Sequence, residues 1–255
     1  MENPTEAKKI ISDSKNIYLI ASEEPEAVAV ILALFYTLKE LGKNVNLVID
    51  ALPEKLNFLA PSLDFISYPK NFVISVPNNV AKVSQIYYEK NNDALTIHLT
   101  LESGNIKKDN VAFYFSETKP DLIITVGIKD YSKELSGKLN SFGFLLDSPI
   151  LNIDVGQDNK KFGKINLLGG NSLSEIVFEL MKPDKSPAGH LDGPVTIPPK
   201  ADLVGKESAS CLLSGLVMYT GSFKNKLTAG VFQTASDLMK KGADLNDITN
   251  NIYKT

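Results

Sequence analysis

The most constraining feature of the sequence is a short apolar run that ends on an acidic residue. Residues Ile150 to Ile153 follow a proline, are rich in β-branched side chains and are typical of a buried strand. Asp154 and then Gly156 come after this run. Because ligands of open α/β sheets bind at the carboxyl ends of strands, we expect chemistry at this strand end. A further strand is predicted from Lys164 to Leu168.

Two more strands and the helix between them predict a parallel sheet. Residues Asn16–Ala21 and Val45–Ile49 have the pattern of buried strands, and they flank a helix predicted from about Ala27 to Leu41 and ended by Gly42. This order is a parallel βαβ unit. Residues Asp121–Gly127 predict another buried strand. We therefore expect an α/β fold with a doubly wound, mainly parallel sheet of about five strands.

An antiparallel insertion is predicted within this sheet. Four segments between residues 72 and 115 alternate apolar and polar residues, and Asn91-Asn92-Asp93 is a hairpin turn signal. Residues 183–199 are rich in proline, glycine and charge, which is typical of a surface linker or loop. Three helices predicted beyond them form a helical C-terminal part. We expect residues 1–255 to form a single domain that carries the β-hairpin insertion.

Composition excludes several classes of protein. The net charge of −3 offers no basic field for duplex nucleic acid. The N-terminus is polar and no apolar run approaches bilayer length, so we expect a cytoplasmic protein without membrane attachment. Cys211, the single cysteine, rules out an internal disulfide and is expected to be a core thiol. The two histidines, His98 on a strand surface and His190 in the loop, are too few for a histidine-rich metal site.

The segment after residue 151 resembles a known motif. The matching residues are Asn152-Ile153-Asp154, Asn159, Phe162-Gly163 and Asn166. They resemble the third motif of the DHH family of phosphoesterases, which includes RecJ-type nucleases, nanoRNases, adenosine bisphosphate phosphatases and cyclic-dinucleotide phosphodiesterases. The two histidines that name the family are replaced here by Val155 and Gly156.

The N-terminal βαβ unit resembles the first DHH motif. Residues Thr37–Lys43 match the end of the helix that follows that motif. This alignment puts Glu24 and Glu26 where the family has two aspartates, and Ile20 or Ala21 where it has a histidine. The acids are therefore present in a longer form, whereas the histidine is lost.

Two later segments resemble the second and fourth DHH motifs. The strand predicted at 121–126 resembles the second motif, and its metal-binding aspartate corresponds to Gly127. Residues 215–223 resemble the fourth motif, in which Tyr219 replaces the metal-binding aspartate and Thr220 keeps the following threonine. All four motifs occur in the family's order.

The resemblance implies a DHH fold whose metal chemistry is degenerate. Hydrolysis by two metal ions needs several carboxylates and imidazoles around both cations, and only Glu24, Glu26 and Asp154 remain as weak candidates. The two glutamates have a second interpretation, because acids in the first turn of a helix interact favourably with its dipole. The degenerate site comprises Glu24, Glu26, Gly127, Asp154, Val155, Gly156, Asn159, Tyr219 and Thr220.

These residues predict a non-catalytic DHH phosphoesterase homologue that needs no cofactor and binds a nucleotide-like ligand or a protein partner. The alternative is an active metal-dependent phosphoesterase with an atypical manganese or magnesium site, acting on short oligonucleotides or on linear or cyclic nucleotides. We expect the Tyr219 ring to fill the former metal centre near Gly127 and Val155, with its hydroxyl on one of the three acids.

The resemblance also bears on assembly. DHH proteins carry a smaller C-terminal domain that closes over the substrate, and this chain ends where that domain would begin. Either the protein lacks that domain or the domain lies outside this sequence. Because exposed strand edges invite pairing, we expect a homodimer, or a pair with a paralogue, formed through the sheet edge or the insertion at 72–115.

Overall fold

The computed structural model describes seven stretches of the chain, which are residues 4–49, 52–61, 70–117, 119–135, 148–156, 158–183 and 203–254. The chain divides into two compact units. The first unit combines Met1–Tyr68 with Lys119–Thr255, and the second is Pro69–Thr118. The expected insertion at 72–115 thus makes up most of the second unit.

The first unit contains a five-stranded sheet with the order β2-β1-β7-β8-β9. Its strands are β1 (Asn16–Ala21), β2 (Asn44–Val48), β7 (Leu122–Val126), β8 (Ile150–Asp154) and β9 (Ile165–Leu168). Every neighbouring pair is parallel. β7 is buried throughout, as expected for a parallel strand that is covered on both faces. The predicted α/β fold class is confirmed.

Helices cover the sheet and form the C-terminal part of the first unit. They are α1 (Pro4–Asp13), α2 (Pro25–Glu40), α3 (Tyr131–Glu134), α4 (Leu173–Met181), α5 (Lys206–Thr220), α6 (Ala229–Lys240) and α7 (Leu245–Ile252). A 3-10 helix spans Glu54–Leu59. α5 begins at Lys206, because Gly205 is still extended at the N-cap, and it ends at a left-handed Gly221.

The two faces of the sheet are buried differently. Ile17 and Leu19 of β1 belong to a large core shared with α1, α2 and the C-terminal helices. Tyr18 and Ile20 point to the other face and join a small cluster, against which Phe162 packs. The thiol of Cys211 lies wholly inside the large core, and burial raises its pKa, which agrees with the expected structural role.

The second unit consists of two antiparallel pairs. β3 (Lys70–Ser75) pairs with β6 (Ala112–Glu117), and β4 (Ala81–Lys90) pairs with β5 (Leu95–Gly104). Asn91 closes the β4–β5 turn by accepting hydrogen bonds at Oδ1 from the N–H groups of Asp93 and Ala94, at 2.9 and 2.8 Å. The predicted hairpin is confirmed.

The structure also bears on the predicted surface loop and on membrane-spanning segments. Most of the predicted surface loop at 183–199, including His190, lies outside the described residues. Within the described residues, none of the helices has the length and apolar character needed to cross a bilayer.

Candidate functional site

The chain order of the sheet reverses between β1 and β7. From β1 the chain moves outward to β2, and it later returns to the other side of β1 as β7. In doubly wound sheets the crevice at the carboxyl ends of two such strands is the usual ligand site. A cleft of about 730 Å³ lies there, lined by Ala21, Ser22, Glu23, Glu24, Pro25, Gly127, Ile128, Lys129, Lys133 and Glu134.

Glu24 stands at the open side of this cleft. It is exposed, and it is the N-cap residue of α2. Its side chain makes no capping hydrogen bond, but its carbonyl oxygen accepts the first helical bond from Val28 N–H at 3.1 Å. The Glu24 carboxylate is therefore available to solvent or to a ligand in the cleft.

Glu26, only two residues later, is directed into the protein. Its Oε1 accepts hydrogen bonds from the backbone N–H of Ser174 at 3.1 Å and from the Ser174 hydroxyl at 3.2 Å. Ser174 lies in the first turn of α4, where N–H groups lack helical partners. Burial raises the pKa of Glu26 from 4.5 to about 7, and it outweighs the hydrogen bonds from Ser174, which lower the pKa. Glu26 thus caps a neighbouring helix.

Gly127 occupies a position that disfavours any side chain. Its φ is +69°, and its N–H donates to the carbonyl oxygen of Ile153 at 2.9 Å. A Cβ atom here would lie 2.8 Å from Ser22 Oγ, 3.1 Å from Ala27 Cβ and 3.3 Å from Leu173 Cδ1. An aspartate at this position would be strained and crowded.

Asp154 lies at the end of β8, as predicted, and is the centre of a buried polar network. Its residue surface is only 2% exposed, and its Oδ2 accepts a hydrogen bond from Asn159 Nδ2 at 2.9 Å. Asn159 Nδ2 also donates to the carbonyl oxygen of Ile128 at 3.0 Å. Asn159 Oδ1 accepts from Asn152 Nδ2 at 3.0 Å, and Asn152 Oδ1 accepts from the Thr125 hydroxyl at 2.9 Å. The network ties the ends of β7 and β8 to the following loop.

Val155 and Gly156, which follow Asp154, have no side-chain groups that could bind a metal ion. Val155 is half-buried and packs against the large core. Gly156 has φ of +96°, and a Cβ there would lie 3.4 Å from Leu168 Cβ. The chain therefore turns tightly from β8 towards the loop that leads to β9.

The remaining residues of the third motif shape this loop. Asn166 Oδ1 accepts from Gly163 N–H at 3.1 Å, and Asn166 Nδ2 donates to the Gly163 carbonyl at 2.8 Å. A Cβ on Gly163 would lie 2.7 Å from the Ile165 carbonyl oxygen, which leaves no room for a side chain. The Phe-Gly and Asn elements of the motif thus have structural functions in this chain.

The Tyr219 hydroxyl does not make the hydrogen bond that we expected. Among the described residues no hydrogen bond joins it to Glu24, Glu26 or Asp154. The ring is half-buried and lies under Lys226 Nζ, 4.4 Å from the ring centroid. Burial raises the pKa of the Tyr219 hydroxyl, and so do the nearby carboxylates of Glu26 and Glu175.

Thr220 has a structural function at the end of α5. Its hydroxyl donates to the Leu216 carbonyl at 2.6 Å and accepts from Phe223 N–H at 2.9 Å. The hydroxyl is fully buried and faces the helix end instead of a ligand.

The three acids of the degenerate site have different surroundings. Within the described parts of the chain, no group of three or more His, Cys, Asp or Glu residues could hold a metal ion. Manganese or magnesium would need carboxylates aimed at one centre. In this structure Glu24 is exposed, Glu26 caps α4 and Asp154 is bonded to Asn159.

Sequence reasoning missed several residues of the cleft. Lys129 and Lys133 line it beside the acids, and nothing in their local pattern distinguishes them from other surface lysines. Outside the cleft, the local sequence also gave no sign of the role of Ser174. It did predict the neighbouring cap, in which Ser172 Oγ accepts a hydrogen bond from the Glu175 N–H at 3.1 Å. Only the crossing of α2 and α4 identifies Ser174 as the partner of Glu26.

The sheet order and the helices define a doubly wound α/β fold, and a known structure shares it. The chain is similar to the crystal structure of an exopolyphosphatase-related protein from Bacteroides fragilis, with a TM-score of 0.64 and 16% sequence identity. The match covers 99% of this chain and spans 60% of the length of that chain. No protein family model and no curated protein sequence matches this chain.

Proposed function

We propose that this chain is a non-catalytic relative of DHH phosphoesterases that binds a nucleotide-like ligand in the cleft between β1 and β7. The single observation that carries the proposal is the way the surviving acids are used. Glu26 accepts two hydrogen bonds from Ser174, and Asp154 accepts one from the amide of Asn159. Both carboxylates bond to protein donors, and neither is among the residues that line the cleft.

The chemistry of the other family positions supports the same conclusion. Hydrolysis of a phosphoester by two metals requires cations that generate the nucleophile and neutralise the charge on the phosphate oxygens. The positions that match metal ligands hold apolar, small or aromatic residues: Ile20, Ala21, Gly127, Val155, Gly156 and Tyr219. None of these residues replaces an imidazole or a carboxylate, so these positions do not supply the groups that would assemble the cations.

The cleft has the properties of a ligand site. Its volume of about 730 Å³ falls within the roughly 300–1,000 Å³ that is usual for small-molecule sites. Lys129 and Lys133 can attract phosphate oxygens, and the N-terminus of α2 at Pro25 adds the positive end of a helix dipole. Glu23 and Glu24 can accept hydrogen bonds from the hydroxyl or amino groups of a nucleotide.

Binding can be tested with a fluorescently labelled dinucleotide titrated with the full chain. We expect saturable binding that weakens by about tenfold in Lys133→Ala, because the phosphate loses its charge-assisted partner. Lys9→Ala is the matched control, since Lys9 is exposed on α1 and does not line the cleft. Absence of binding, or equal loss in both variants, would argue against a nucleotide in this cleft.

Catalysis is tested separately with manganese or magnesium present. We expect no turnover of short oligonucleotides, adenosine bisphosphate or cyclic dinucleotides. Steady turnover that is abolished in Glu24→Gln or Asp154→Asn would favour the alternative, an active phosphoesterase with an atypical metal site. Turnover that persists in both variants would point to a contaminating enzyme.

A further inference from the structure

The β4–β5 hairpin has two chemically different faces. Cross-strand pairing places Ile86 opposite Leu99 and Tyr88 opposite Ile97. Because side chains alternate along a strand, these pairs share one face with Leu95, two residues before Ile97, and with Leu101, two residues after Leu99. We call this the apolar face, and it comprises Ile86, Tyr88, Leu95, Ile97, Leu99 and Leu101. Its charged neighbour is Lys90, which pairs with Leu95 at the turn end.

The opposite face is polar, and its side chains pair with one another. The rings of Tyr87 and His98 stack with centroids 4.4 Å apart, and His98 Nε2 lies 3.8 Å from a carboxylate oxygen of Glu89. Lys82 and Glu102 form an ion pair of 2.9 Å. The ribbon is therefore amphipathic, and its charges lie mainly away from the apolar face.

The apolar face is unusually exposed for large side chains. Ile86 is 70% exposed, Tyr88 72% and Leu95 62%, whereas Ile97 and Leu101 are 44% and 37% exposed. With roughly 200 Å² for each large residue, these fractions correspond to about 600 Å² of continuous apolar surface. That area lies at the upper limit of roughly 300–600 Å² for the largest patch on an ordinary monomer, so the face is a candidate interface.

We infer that the apolar face binds the same face of a second copy of this chain, which forms a two-fold symmetric dimer. Two ribbons stacked face to face would bury about 1,200 Å² in total, which is at the lower end of stable protein interfaces. An uncharged central patch is self-complementary, because copies related by a two-fold axis bring no like charges together there. Sheets packed in this way stand about 10 Å apart.

Adjacent tyrosines on opposite faces provide a matched test. The full chain and the variants Tyr88→Thr and Tyr87→Thr are compared by sedimentation equilibrium from about 1 µM to about 0.5 mM. Threonine, like tyrosine, has a high β-propensity, so both substitutions should preserve the strand. For the unaltered chain we expect the mass to rise from 27.9 kDa towards twice that value, with a Kd on the order of 10 µM.

The two variants should then differ. Tyr88→Thr is expected to weaken dimerisation at least tenfold, because it removes an aromatic anchor from the centre of the face, whereas Tyr87→Thr should change the Kd less than about threefold. Ile97→Thr is a second variant on the apolar face and should weaken the dimer as well. If the chain stays monomeric throughout this concentration range, the inference is wrong. That holds also if another segment of the same chain covers the apolar face. A dimer that both tyrosine variants affect equally overturns the inference as well.

Discussion

Glu26 and Ser174 are joined by two hydrogen bonds although 148 residues separate them in sequence. The bonds connect the first turn of α2 to the first turn of α4, so one carboxyl group lies at the positive ends of two helices. An acid that the sequence resemblance aligned with a metal ligand therefore serves to hold the two helices together.

This contact makes stability depend on pH. The pKa of Glu26 is about 7 in the folded chain and about 4.5 when unfolded, so the folded state binds more protons between these values. The stabilisation from Glu26 is then complete below about pH 4.5 and is lost as the pH rises through about 7. We expect the free energy of unfolding to fall by roughly 1–3 kcal/mol between pH 5 and pH 8 on this account.

Urea unfolding at both pH values measures this effect. Glu26→Gln should remove the Glu26 part of the decrease, because an amide can still accept from Ser174 but does not titrate. Glu24→Gln, which changes an exposed acid two residues away, should keep the decrease. Equal pH dependence in the unaltered chain and in Glu26→Gln would contradict the assignment.

Asn159 should be critical for stability. Its side-chain amide donates a hydrogen bond to Asp154 Oδ2 and accepts one from Asn152 Nδ2. Asn159→Ala therefore leaves a buried carboxylate and a buried amide without this partner. We expect a loss of about 2–4 kcal/mol in chemical denaturation. Asn171→Ala, at an exposed position, should change stability by less than about 0.5 kcal/mol.

A double variant separates this network from general damage at the loop. Adding Asp154→Ala to Asn159→Ala should cost less than the sum of the single changes, because it removes the carboxylate that the first change left unpaired. Strict additivity would mean that the two side chains do not interact.

Restoring a side chain at Gly127 should destabilise the fold. Gly127 and Gly42 both have positive φ, of +69° and +71°, but a Cβ meets nothing within 4 Å at Gly42 and three side chains at Gly127. We expect Gly42→Ala to cost about 1 kcal/mol from backbone strain alone and Gly127→Ala about 3 kcal/mol once crowding is added. Thermal unfolding compares the two variants. A similar Tm for both would show that the side chains around Gly127 rearrange without an energetic cost.

The hydroxyl of Tyr219 should contribute little. The described structure gives it no hydrogen bond to the three acids, and the ring packs against the core under Lys226. Tyr219→Phe is therefore expected to change stability by less than about 0.5 kcal/mol, whereas Tyr219→Ala should cost about 2–3 kcal/mol for the lost packing. A loss above about 1 kcal/mol in Tyr219→Phe would instead indicate a bonded hydroxyl.

The sequence by itself determined the local elements of this protein. The apolar runs at Asn16–Ala21 and Ile150–Asp154, the turn at Asn91 and the cap at Ser172 all depend on residues within a few positions of one another. Secondary-structure propensities and the periodicity of apolar side chains also act over this short range. Parallel strands joined by helices can be arranged in only a few ways. The α/β sheet and its hairpin insertion were therefore predictable.

Only the tertiary structure decided what the degenerate site residues do. The sequence placed Asp154 at a strand end, where we expected chemistry, and predicted that Tyr219 bonds to an acid. In the structure Asp154 is bonded to Asn159, and Tyr219 forms no such bond. The candidate cleft lies at the reversal of strand order, and Glu24 and Gly127 are the two residues of the degenerate site that line it. These outcomes depend on which helices and loops meet across the sheet, and such contacts between distant segments leave no periodic signal in the chain.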